Sequence, residues 1–295
     1  MAEYKGIGYL RKKLSVKRGR VNTRYRYYEM KNAMRDFGIS TPPELRSFNS
    51  VLGWCGKAVD SLADRLVFRE FQNDDFDMNG IFRMNNPDVL FDSAVLSAMI
   101  SSCCFIYISR GEDNFPRLQV IDGGNATGII NPITGLLQEG YAVLERNDKG
   151  SPILEAYFTA EETVYYRKGA SYIDTEGNPT PAPLLVPIIH RPDAKRAFGH
   201  SRISRACMSI VGSALRTVKR SEISAEFYSF PQKYVLGMSD DAERMDKWQA
   251  SMSSLLDIGR DDDGNVPQLG QFTQQSMSPH TEQLRMFAAM FAGET

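Results

Sequence analysis

Histidine and cysteine are scarce in this chain. There are three histidines, His190, His200 and His280, and four cysteines, Cys55, Cys103, Cys104 and Cys207. No Cys-x-x-Cys pair occurs, and adjacent Cys103 and Cys104 cannot readily bridge each other. That removes any zinc signature and predicts reduced thiols used for packing. The histidines lie far apart in sequence, so His190 is expected to be a structural residue. Net charge is also lacking: 35 basic and 36 acidic residues leave −1. Any contact with a polyanion must then come from local patches. No apolar run approaches the roughly 18 residues of a membrane span, so no membrane partner is expected. The basic N-terminus has no apolar stretch behind it and does not read as a signal peptide.

Two motifs that would carry chemistry fail on spacing. Gly123-Gly124 followed by Gly128 lacks the Lys-Ser/Thr ending of a phosphate loop and opens no helix, so it reads as a turn. Asp261-Asp262-Asp263-Gly264-Asn265 lacks the alternating ligands and distal Glu of a calcium loop. No cofactor, no metal and no catalytic residue is predicted.

What the chain does have is a long two-faced stretch from Ser201 to Gly237. Ile203, Cys207, Ile210, Val211, Ala214, Leu215 and Val218 share one side of a helical wheel. Arg202, Arg205, Arg216, Lys219 and Arg220 are assigned to the opposite side. A helix over 201–229 would be roughly 43 Å long. Phe230-Pro231 ends it, because the residue before Pro is pushed out of the helical region. A second basic run lies near the start. Arg11, Lys12, Lys13, Lys17, Arg18, Arg20, Arg24, Arg26 and Lys31 are met by one acid, Glu29, with Tyr25, Tyr27 and Tyr28 interleaved. Such a run suits phosphate, an acidic protein surface, or an arm lying over its own domain.

Between the basic runs, Leu45, Phe48, Val51, Leu52, Cys55, Ala58, Val59, Leu62 and Leu66 predict an amphipathic helix over about 45–67. Residues 69–86 read as polar turns. A buried helix is expected over about 88–102, closed by Cys103 and Cys104 as packing residues with no basic activator beside them in sequence. Short β-like runs separated by Gly, Asn, Asp and Pro turns follow from Phe105 to Pro187 and predict an antiparallel meander. After the long stretch come a helix capped by Ser239-Asp240, an extended 268–272 and a last helix opened by Ser278-Pro279. Its apolar stripe runs to the end of the sequence, which predicts a truncated chain. The fold class is α+β, long helices around an antiparallel sheet module.

Several stretches in this order resemble one family. They are Tyr27-Tyr28-Glu29 and Trp54 through Leu66, then Ile189-His190-Arg191-Pro192 with Gly199-His200-Ser201-Arg202-Ile203-Ser204. Ala225 through Gly237, Gly270-Gln271-Phe272 and Ala292-Gly293-Glu294-Thr295 complete the set. The chain resembles tailed-bacteriophage portal proteins of the Gp6-like family. No single motif is chemically diagnostic; the ordered set carries the likeness.

The resemblance implies a wing over 1–200, a first stem helix over 201–229, a small α/β clip over 230–278 and the start of a second stem helix over 279–295. The tunnel loop and crown of the family would be absent. It implies no enzyme, but a self-assembling ring, a dodecamer when full length, at a capsid vertex of the virion. The ring would be assembled in the host cytoplasm. Its partners would be a terminase, capsid and scaffold proteins and a head–tail adaptor. Double-stranded DNA would pass through it without sequence-specific contact during packaging and ejection. The thirteen cations from Arg11 to Arg26 and from Arg202 to Arg220, all but Lys31 of those named above, are the candidate DNA or subunit contacts. Two rival readings are a phage-derived metal-dependent nucleic-acid-processing enzyme, using Asp240-Asp241 or Asp261-Asp262-Asp263, and a DNA-binding scaffold using the 11–31 arm.

Overall fold

The computed structural model describes residues 4–33, 47, 49–72, 74, 76–111, 115–167, 174–229, 233–236, 266, 268–271 and 276–295. Among them are six helices and ten strands, an α+β set with antiparallel pairing throughout. The chain divides into two units. The first comprises Met1–Ala33, Leu52–Ser209 and Glu294–Thr295, and the second Met34–Val51 and Ile210–Gly293.

The first unit is built on two sheets where the sequence suggested one meander. Strands β1 (Cys103–Arg110), β2 (Pro116–Ile121) and β8 (Leu185–Ile189) form a three-stranded sheet in the order β2-β1-β8. Strands β3 (Ala126–Ile130), β4 (Leu137–Arg146), β5 (Pro152–Phe158), β6 (Glu162–Arg167) and β7 (Asp174–Gly177) follow one another as a five-stranded meander. Residue parity along β1 shows why two layers are needed. Cys103, Phe105 and Tyr107 join Ala142, Ala156, Phe158 and Leu185 in the main apolar core. Cys104, on the opposite face, packs with Ala94 and Ala98. A strand buried on both faces has to be covered on both.

Helix α4 (Pro87–Ser101) supplies that second cover, and its last five residues, Ser97–Ser101, are all buried. Pro87 sits at its start and Asp88 in its first turn, where a rigid φ and a negative charge suit the helix N-terminus. Helix α2 (Trp54–Ala63) is shorter than the predicted 45–67. It buries Cys55 and Val59, one turn apart, while Val51 and Leu66 of the proposed stripe are exposed. The rest of that prediction, 45–46 and 48, lies outside the described residues. The predicted polar turns contain a short helix, α3 (Met78–Met84), whose Phe82 packs with Phe68, Phe71 and Phe91.

The largest departure is at the start. The predicted arm is a 23-residue helix, α1 (Gly6–Tyr28). Only Leu10, Leu14 and Val21 of it are fully buried. Leu10 and Leu14 meet Tyr141 and Val143 of β4, flanked by Ile7, Ile129 and Tyr157. Eight basic residues in the helix dilute its apolar period enough to hide it from a pattern search.

The second unit includes most of α5 (Arg205–Ser229), the hairpin β9 (Lys233–Leu236) with β10 (Gln268–Gln271), and α6 (Ser278–Glu294). Helix α5 begins four residues later than predicted. Ser204 caps it, accepting at Oγ from the Cys207 N–H at 3.1 Å. Cys207, Ile210, Val211, Ala214 and Leu215 are buried as the stripe predicted. Within this unit Thr217 Oγ1 lies 2.7 Å from Gln283 Oε1 of α6. The helix expected after Ser239-Asp240 lies outside the described residues.

Candidate functional site

Helix α1 is pinned at its N-terminus by a carboxylate. Glu139, on β4 and fully buried, accepts from the Lys5 N–H at 2.9 Å, the Gly6 N–H at 3.1 Å and the Tyr157 hydroxyl at 2.8 Å. A charged acceptor on unpaired N–H groups, facing the positive end of the helix dipole, is a strong cap. It comes from a residue more than 130 positions away, which no local capping pattern could reveal.

The helix then spends part of its charge on the sheets. Arg11 pairs with Glu155, which also accepts from the Tyr141 hydroxyl. Partial burial, the largest single influence, pulls the Arg11 guanidinium down, but the bond and charge of Glu155 together with Tyr141 leave it raised. Lys13 Nζ donates to the Gly128 carbonyl at 2.6 Å, and burial, with Lys17 and Lys5 nearby, lowers it. Lys17 Nζ reaches Cys103 Sγ at 3.0 Å and lies over the rings of Phe105 and Phe198. A basic group therefore does sit beside Cys103, brought from another element. Arg24 Nε donates to the Ile203 carbonyl at 3.4 Å, and burial, then Arg20 and Arg196, lower it. These four cations hold the helix down.

Two others line an open cleft. Arg18 and Arg26 face it together with Arg146, Lys31, Asp122 and Asn125 around a volume of about 620 Å³. Asp122 is spent on its own turn, accepting from the Gly124 N–H at 2.6 Å and from the Asn125 side chain. Arg146 Nε donates to Asn125 Oδ1 at 2.8 Å and Nη1 to the Gly150 carbonyl at 2.9 Å. Burial, then the charge of Arg18, lower Arg146. Glu29 also lines the cleft and pairs with Lys31 at 2.8 Å, so Arg18, Arg26 and Arg146 leave it a concave surface with cations in excess, a shape that fits an anionic group. Tyr25 closes one side, its hydroxyl 3.0 Å from Ser97 Oγ and its pKa pushed up to about 12 by burial. Arg146 and Asn125 were missed in the sequence, where they look like ordinary strand-end and turn residues.

Outside the cleft, Lys5 at the N-cap of α1 and Tyr9, Lys12, Val16 and Arg20 along it are exposed at helical spacing, with Tyr9 46% and Val16 59% accessible. This stripe alternates cation and apolar group.

The basic row of α5 is less open than predicted. Arg205 and Arg220 are exposed. Arg202 Nε is tied to the Ala58 carbonyl at 2.7 Å, and Arg216 Nη2 to Ser213 Oγ at 2.9 Å. Lys219 is only 3% accessible and does not belong on the open side. It continues the four-residue ladder Cys207, Val211, Leu215 and Ile223, all buried, so one turn of the helix carries it onto the apolar face.

The quoted stretch from Ile189 to Ser204 is a fastening. His190 Nδ1 lies 2.7 Å from the His200 carbonyl, and the His200 N–H donates back to the His190 carbonyl at 2.9 Å. Gly199 between them has φ +67, and a Cβ there would stand 2.1 Å from the His190 carbonyl oxygen. Ser201 Oγ donates to the Ile100 carbonyl at 2.6 Å and the Arg202 N–H to Met99 at 2.9 Å, binding the entry to α5 onto the end of α4. His190 is thus the structural histidine the sequence predicted. His200, read as isolated, pairs through Nε2 with Asp193 Oδ2 at 2.5 Å, and that bond lowers the Asp193 carboxyl.

All four cysteines are free and buried, as expected for packing thiols. Burial raises Cys55 and Cys104 to about 12. Among the described residues no group of three or more His, Cys, Asp and Glu could hold a metal ion. The carboxylates invoked for a nuclease, Asp240-Asp241 and Asp261-Asp262-Asp263, lie outside the described residues. No helix among the described residues is long and apolar enough to cross a membrane.

These features define an α+β protein whose described surface presents cationic and apolar contact groups. The known proteins it is similar to agree with the resemblance its sequence carries. It matches the portal protein of Mycobacterium phage D29 at 22% identity over a 291-residue alignment, which covers 91% of this chain and 59% of that protein. The portal protein of Mycobacterium phage L5 matches at 20% over the same shares. The chain spans 59% of the length of these curated relatives. No family model matches it. Among solved structures, a chain from the neck of a native gene transfer agent particle aligns over 92% of this chain and 73% of its own, at 14% identity. The TM-score is 0.44, too low to establish a shared fold.

Proposed function

We propose that the protein is a portal subunit, a head–tail connector that assembles with copies of itself into a ring channel at a capsid vertex. The single observation that carries this is the match to two phage portal proteins along 91% of the chain. In this reading residues 1–200 form the wing, 201–229 the first stem helix, 230–278 the clip, and 279–295 enter a second stem helix. Terminase, capsid, scaffold and head–tail adaptor proteins are the partners, the virion vertex the final location, and double-stranded DNA the passenger. Passage of DNA requires weak, sequence-blind contact and no bond chemistry, so base-reading side chains and a catalytic set are not called for.

The cations fit this role after the structure has sorted them. Lys13, Lys17, Arg24 and Arg202 serve the subunit's own fold. Lys12, Arg20, Arg205 and Arg220, with the cleft residues Arg18 and Arg26, are the ones left to meet a neighbour or a polyanion. Negative-stain electron microscopy of the complete protein tests the reading. Ring particles with a central channel are expected. A protein that stays monomeric at every concentration, with its capsid partners present, would falsify it.

A further inference from the structure

The surface of the first unit is divided by charge. From Asp64 to Asp92 it exposes Asp64, Glu70, Asp74, Asp77, Asp88 and Asp92 against Arg65, Arg69 and Arg83. The same corner exposes large apolar groups: Phe76 is 83% accessible, Val67 73% and Val89 61%. The corner is well built. Phe68 stacks on Phe91 with centroids 4.5 Å apart, and Asn79 bridges to the Phe71 backbone in both directions, at 2.9 and 3.0 Å. Asn85 ties the end of α3 to β2 through Pro116 and Leu118. Asp88, Val89 and Asp92 share one exposed face of the first turns of α4, an apolar group set among carboxylates. Exposed apolar groups gathered in this way mark a surface awaiting a partner.

The matching surface is on α1. Its stripe Lys5, Tyr9, Lys12, Val16 and Arg20 is exposed and sets apolar groups among cations. We infer that the α1 stripe of one copy docks on the α3–α4 corner of the next copy, Lys12 and Arg20 meeting carboxylates of the Asp77, Asp88 and Asp92 set while Tyr9 and Val16 cover Val89 and Phe76. The occupant is a second copy because charge and apolar pattern complement each other face for face. Duplex DNA would satisfy the cations and leave Tyr9 and Val16 wet. The two faces belong to different elements of one chain, so the contact is heterologous and repeats head to tail, as a ring requires. This inference rests on the ring reading above and names its contact surface.

The test compares the complete protein with three variants: Lys12→Glu with Arg20→Glu, Asp88→Lys with Asp92→Lys, and all four together. Circular dichroism checks that each is folded, and particle mass is followed against concentration. Each pair of reversals is expected to raise the half-assembly concentration roughly tenfold or more, and the combination to return it to within about threefold of the unaltered protein. A Lys12→Cys, Asp92→Cys variant should give a ladder of disulfide-linked copies on oxidation, since the four native cysteines are buried. Rings that form with every reversal, or a cysteine variant that never cross-links within rings, overturn the docking contact alone. Loss of duplex-DNA binding on Lys12→Glu with Arg20→Glu, with assembly unchanged, overturns it in favour of DNA. No rings from the unaltered protein overturn the ring reading itself.

Discussion

Helices α1 and α5 are close in length, 23 and 25 residues, and each carries a row of cations. They are held in different ways. Helix α5 buries Cys207, Ile210, Val211, Ala214 and Leu215, an apolar stripe of ordinary composition. Helix α1 buries only three side chains and relies on polar ties besides: Glu139 at its N-terminus, Arg11 to Glu155, Lys13 and Lys17 to the sheet, and Arg24 near its end. The lesson is that a basic segment can be a fixed part of a fold when its charges meet carbonyls and a carboxylate and its N-terminus is capped by a buried one. What remains exposed on it is then a patterned surface on a rigid rod, which a loose arm could not present.

The comparison can be broken first at its apolar end. Leu215→Ala should cost about 2–5 kcal/mol, read by denaturant titration, because the side chain is 2% accessible and leaves a cavity. A much smaller loss would mean that the α5 stripe is not a packed core. Next comes the polar end. Glu139→Ala removes the acceptor for two backbone N–H groups and a tyrosine, and should cost about 1–3 kcal/mol. It should also speed amide hydrogen exchange in the first turns of α1, with α5 unaffected. If exchange there does not change, the cap is not what fixes the helix.

Alkali should act on both helices' surroundings. Cys55, Cys104 and Tyr25 have raised pKa values of about 12 in the folded protein, against 9.0 for a free thiol and 10.0 for a free phenol. A group raised on folding contributes in full below its unfolded pKa and loses that contribution as pH climbs to the folded value. The contribution of these three groups should therefore hold flat below about pH 9 and fall between 9 and 12, measured as a declining denaturant midpoint over that window. An unchanged midpoint across that window would contradict the burial of these groups. The smallest effect belongs to Arg11→Ala. Its pair with Glu155 is largely exposed on the arginine side, so at most about 1 kcal/mol is expected.

Legibility followed the same divide. Helix α5, the buried α4 and most strands were readable because an apolar period of 3.6 or 2 survives in their sequences. Residues 185–189 read correctly as extended, but their pairing with β1 in a second sheet depends on partners about 80 residues away. Helix α1 was not readable as a helix, since its period is buried in charge. Its cap, Glu139, and the cleft residue Arg146 lie on a strand far off in sequence. Lys219 was misplaced for a local reason: its charge suggested the open face, whereas its four-residue spacing from Leu215 puts it inside. The stretches that carried the family resemblance were legible as a set. Their reason became visible only in the structure, where the run from His190 to Arg202 binds α4 to the start of α5.

The most direct test of the central claim is the mass of the native particle formed by the complete protein as its concentration is raised. A single closed multiple of the subunit mass, reached without a ladder of ever larger species, is the predicted result. A particle that keeps the mass of one subunit throughout, or one that grows without limit, would contradict a portal ring.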